Sequence, residues 1–138
     1  MDATLLTADG RTTAGILLLS IVAIEFGGLY VLKIVTGREP RTEFQLAFAR
    51  AGHAHAGVLV TLSLVCLVLV DAGNLSGISA TLGRSAIPLA AVLMPAGFFF
   101  SSARNGATEP NRWIALLYAG AALLALGVAG LGIGLLTS

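Results

Sequence analysis

Four long apolar stretches, parted by short polar segments, leave this chain very few folds. A run of about 20 apolar residues can satisfy its own backbone in lipid only as a helix, and at about 1.5 Å of rise per residue it matches the thickness of a bilayer core. Charged residues gather within 2–11, 33–43, 71–84 and 104–112. The runs between them read as helices over 13–36, 44–70, 85–102 and 111–137. The composition agrees: 57% of the 138 residues are hydrophobic and 11% are charged, with a mean hydropathy of +0.92, where soluble proteins carry about 25% charged residues. The expected fold is all-α, a single polytopic membrane domain over 1–138 built as a four-transmembrane-helix bundle in a lipid bilayer.

Charge and cysteine content narrow the function. The net charge is +1 and no basic tract follows a phosphate backbone, so no nucleic-acid partner is expected. Cys66 is the only cysteine, so no intrachain disulfide can form, and on an apolar helix it reads as inert. Asp2 and Asp9 stand where a secretory leader would be basic, and the first apolar run continues for a full span, so it is expected to remain as a helix. Lys33, Arg38, Arg41, Arg104 and Arg112 lie at one end of the spans, against Arg11 and Arg84 at the other. That bias predicts both termini outside the cytoplasm, in a bacterial inner membrane.

The candidate site comes from ionisable residues inside the spans. Glu25 falls at the middle of the first helix, where an acidic side chain costs about 2.5 to 3.5 kcal/mol on insertion scales. It is expected to face protein or water, with Gly28 on the same side admitting a neighbour. The second helix carries both histidines, in Arg50-Ala51-Gly52-His53-Ala54-His55-Ala56-Gly57. At about 100° per residue His53 and His55 project to nearly opposite sides and cannot share one metal ion. His53 has the more polar face and is expected inward. Counted from the common end, Glu25, His53, His55, Met94 and Tyr118 lie about 10 to 17 Å deep, with Arg50 one turn shallower.

This layer predicts direct contact between Glu25 and His53, titrating as a coupled pair that binds a proton or a divalent metal ion. A second donor set, His55 or His53 with Met94 or a second subunit's histidine opposite, suits an axial pair on haem. A satisfied network of Glu25, His53 and Arg50 that only holds helices in register is the competing explanation. No nucleophile, base and orienter come together in the sequence, so no catalytic residue is assigned. Pro95 predicts a kink in the third helix. In the fourth, Gly120, Gly127 and Gly134 at seven-residue spacing, with Gly130 and Gly134 as G-x-x-x-G, predict a packing face and a homo-oligomer formed through it.

Several resemblances rest on these residues. Glu25-Phe26-Gly27-Gly28, the histidine segment, and Gly106-Ala107-Thr108-Glu109-Pro110-Asn111 together resemble a family of small bacterial four-helix membrane proteins, which implies the fold and no activity. The first helix is similar to that of small multidrug resistance transporters, at the spacing of Glu25, Gly28, Lys33 and Gly37, which implies a proton-binding carboxylate. Arg50 to His55 resembles the second helix of membrane-associated glutathione-metabolism enzymes, and the histidine span looks distantly like a haem-ligating helix of haem-copper oxidases. The expected function is a proton- or divalent-cation-binding transporter or channel component, alone or within a larger membrane complex. A haem or metal redox protein, a small membrane enzyme and a purely structural subunit are the alternatives.

Overall fold

The computed structural model describes residues 5–138; Asp2 lies outside them. Four helices long and apolar enough to cross a membrane follow one another up and down: α1 Ala8–Val35, α2 Glu43–Ala72, α3 Gly77–Ser101 and α4 Ile114–Thr137. The fold is the expected all-α four-helix bundle, with boundaries displaced where side chains reach beyond the apolar runs. α1 starts ahead of 13 because the Thr7 hydroxyl accepts from the Gly10 N–H and caps the helix there. α2 starts on a capping box, Thr42 and Gln45 each satisfying the other's backbone N–H. α4 starts later than 111, because Asn111 is held outside it, donating to the Phe100 carbonyl and accepting from the Trp113 N–H.

α3 begins at Gly77, well before the expected 85, and its segment Leu82–Ala86 is wound as a π-helix. Pro88 follows directly and has no N–H to offer the carbonyl four residues back, so the wider winding falls on the turn that loses a donor. Pro95 lies inside the α-helical stretch Ile87–Ser101, so the change of winding falls at Pro88's turn.

The tightest packing joins α3 to α4. Ala80, Ile87, Met94 and Ser101 are buried at seven-residue spacing, interleaved with buried Gly83, Ala90 and Gly97. A 3.5-residue period keeps one seam facing the partner helix. Across it small residues meet large ones: a Cβ on Gly120 would lie 2.6 Å from Met94 Cγ, one on Gly127 2.6 Å from Ile87 Cγ1, and one on Gly97 2.7 Å from Leu117 Cβ. Gly130 meets Leu82 and Gly134 meets Ser79. Gly120, Gly127, Gly130 and Gly134, expected to form a packing face, are thus filled by α3 of the same chain.

α2 packs on α3, and α1 has an extended interface with α2 alone. The core runs through Leu17, Leu59, Val60, Leu67, Ala91 and Met94, with a second cluster around Cys66, Val70, Ile87 and Leu131. Polar contacts fasten both ends. At the end near the N-terminus, Asp71 Oδ2 accepts from Thr7 N at 2.8 Å and from Thr7 Oγ1 at 3.2 Å, and Arg84 donates to Thr7 Oγ1 at 3.2 Å. Asp71 Oδ1 meets the Arg84 guanidinium as a charge contact without hydrogen-bond alignment. At the other end, buried Gln45 donates to the carbonyls of Ser102 and Arg104, and Arg41 binds the Tyr30 hydroxyl and Glu39.

Candidate functional site

Glu25 and His53 reach the same level but not the same place. Each stands ten residues from the common helix end, Glu25 from Val35 and His53 from Glu43, which is about 15 Å of rise. The His53 ring lies against the glycine pair of α1: a Cβ on Gly28 would be 3.0 Å from Cε1 and 3.2 Å from Nε2, and one on Gly27 would be 3.6 Å from Nδ1. The glycines therefore admit the imidazole rather than a partner for the carboxylate. Glu25 shares a neighbouring flank of α1 with Leu18, Val22 and Leu29 and is exposed. Residues three apart on a helix differ by about 60°, enough to turn Glu25 away while Gly28 faces α2. Among the described residues neither Glu25 nor His53 has a hydrogen bond or an ion pair, so the expected contact is absent within one chain.

His53 instead lines a groove of about 320 Å³ where α1, α2 and α3 meet, with Ser20, Ile24, Pro88 and Phe99 among its walls. His55 turns to the other side of α2, as the helical spacing requires. Its Nδ1 lies 2.8 Å from the Ala51 carbonyl oxygen and its ring 5.0 Å from that of Phe98. Since a carbonyl only accepts, Nδ1 of the neutral ring carries the proton and Nε2 keeps its lone pair.

The remaining members of the expected layer are dispersed. Met94 is buried against Gly120 of α4, one helical turn from Phe98, on which the His55 ring packs. Tyr118 is 67% exposed on the outer face of α4. Arg50 is exposed on α2. Among the described residues no three His, Cys, Asp or Glu side chains converge to hold a metal ion.

The sequence reading missed two polar centres. The first is the cluster of Thr7, Asp71 and Arg84, in which the Asp71 side chain is only 2% exposed. Gln45 is buried and ties α2 to the segment after α3, and the Thr-x-x-Gln spacing of a capping box was the signal that placed it at a helix start. Comparison with known proteins finds no matching family, no similar curated protein and no similar solved structure.

Proposed function

We propose that this is an integral membrane protein that carries protons, with Glu25 and His53 as the groups that take up and release them. The observation behind this reading is a contrast in engagement. Polar side chains that hold the fold are occupied: Asp71 by Thr7 and Arg84, Gln45 by two carbonyls, Arg41 by Tyr30 and Glu39. Among the described residues Glu25 and His53, level with each other inside the spans, have no hydrogen-bonded or ionic partner. A register-holding network would consume them, whereas a group that must gain and lose a proton has to keep a site open.

The proton is favoured over a divalent cation because the donors do not converge. The basic residues at the end shared by Lys33, Arg38, Arg41, Arg104 and Arg112 favour an orientation with that end in the cytoplasm of a bacterium and both termini outside it. Glu25 then takes its proton about 15 Å from the cytoplasmic end.

The test is proton flux into vesicles reconstituted with the full chain. Wild type is expected to dissipate an imposed pH gradient faster than empty vesicles, and Glu25→Gln to lose at least about tenfold of that rate, which is about 1.4 kcal/mol, with unchanged helicity. His53→Asn lowers the rate less, because the groove stays open. Wild-type flux no greater than that of empty vesicles overturns the proposal.

A further inference from the structure

We propose that two copies of this chain associate through the bare flank of the α1 and α2 pair, Glu25 of each copy pairing with Arg50 of the other. On α1, Glu25 sits with Leu18, Val22 and Leu29, turned away from Ser20, Ala23 and Gly27, which face the groove beside α3. On α2, Arg50 shares a flank with Gly57 and Thr61, turned away from Gly52 and His55, which meet Phe98 and Phe99 of α3. Both charges therefore lie on the side of the helix pair that α3 leaves uncovered.

Both are exposed, and among the described residues neither has an ionic or hydrogen-bonded partner. Arg50, about 10 Å from the end of its helix, can extend toward the headgroups. Glu25, about 15 Å deep with a short side chain, cannot, and each time it has released the proton assigned to it above it needs a cation brought to it. Arg50 is opposite in charge, and the long arginine side chain spans the few ångströms by which it is shallower. A two-fold axis along the membrane normal makes both pairs at once. The surface around Arg50 admits close approach: Ala47 and Ala54 are exposed, and a Cβ on Gly57 would meet nothing within 4 Å. Gly120, Gly127, Gly130 and Gly134 of α4 offer no such opening, being filled by α3.

The contact is tested apart from proton flux, by energy transfer between donor- and acceptor-tagged full-length chains in vesicles. Wild type should show transfer. Glu25→Arg alone and Arg50→Glu alone should each lose it, since each places like charges together. Donor-tagged Glu25→Arg mixed with acceptor-tagged Arg50→Glu should regain it, because both pairs are restored only between chains. Absence of wild-type transfer, full transfer in either single variant, or failure of the mixture to recover overturns the proposal. Should a reversed charge prevent insertion, Glu25→Gln and Arg50→Gln are used instead. Each must lower transfer and the double variant must lose no more than either single; additive losses overturn the pairing.

Discussion

α1 and α3 are both long enough to span a bilayer, yet they are opposites in use. In its most apolar window α1 has a mean hydropathy of 2.1 and is 6% buried, whereas α3 has 1.4 and is 44% buried. The more hydrophobic helix is the more exposed one. In lipid the outer surface must be apolar, while the interior is built from small and hydroxylated residues that let backbones approach. Hydropathy therefore locates spans and says little about which of them forms the core. α3 brings Gly83, Ala90, Gly97, Ser101 and a π-turn to the interior; α1 brings Leu17, Ile34 and Gly10 and leaves Leu19, Val22 and Phe26 outside.

Substitutions break or sharpen this contrast. The largest effect is expected for Gly97→Leu, because Cβ alone would run into the Leu117 backbone and neither helix can retreat. A loss above about 3 kcal/mol follows, read as a fall in the thermal unfolding temperature in detergent or as failure to insert. A Gly97→Leu variant as stable as wild type would show that α3 is not the packed centre.

Arg84→Ala comes next. It leaves the Asp71 carboxylate, 2% exposed, without its cation, and an unpaired buried charge is strongly destabilising. Thr7 still donates to Asp71 and the site lies near the helix ends, so a loss of about 2 kcal/mol is expected, with Asp71→Asn in the same background recovering part of it. Proteolysis near Thr7 would report whether α1 detaches at that end.

Gly28→Leu probes the close fit of α1 to α2 beside His53. The His53 ring stands 3.0 Å from the added Cβ, and a ring on a flexible side chain yields more readily than backbone. About 1 kcal/mol of stability is expected to be lost, together with a rise in solvent accessibility of the imidazole measured by chemical modification. Leu19→Ala should be the mildest change. Leu19 is 74% exposed, and surface substitutions stay within about 0.5 kcal/mol; a larger loss would mean that its flank of α1 is covered in the membrane.

What could be read from the sequence follows from which quantities are local. Span number and depth are local, since rise per residue is fixed by the helix, and Glu25 and His53 do arrive level. Rotation about the helix axis is not local. Every flank of α1 is apolar, so nothing in the sequence tells whether Glu25 or Gly28 faces α2; the bulk of His53, arriving from another helix, settles it. The start of α1 was misplaced for the same reason, because Thr7 is held in place by Asp71, 64 residues along the chain. The Gly120, Gly127 and Gly134 spacing was legible as packing, but whether it faced α3 or a second copy depended on the matching spacing of Ile87 and Met94.

The seam between α3 and α4 acts as a two-letter message read against its complement. In order along α3 the letters are small at Gly83, large at Ile87, large at Met94 and small at Gly97, and opposite them stand Leu131, Gly127, Gly120 and Leu117. A slip by one step sets Ile87 or Met94 against a leucine, a misprint detected by volume alone. The hairpin thus proofreads its own alignment by side-chain volume, and the polar side chains at the middle of the membrane are relieved of that task.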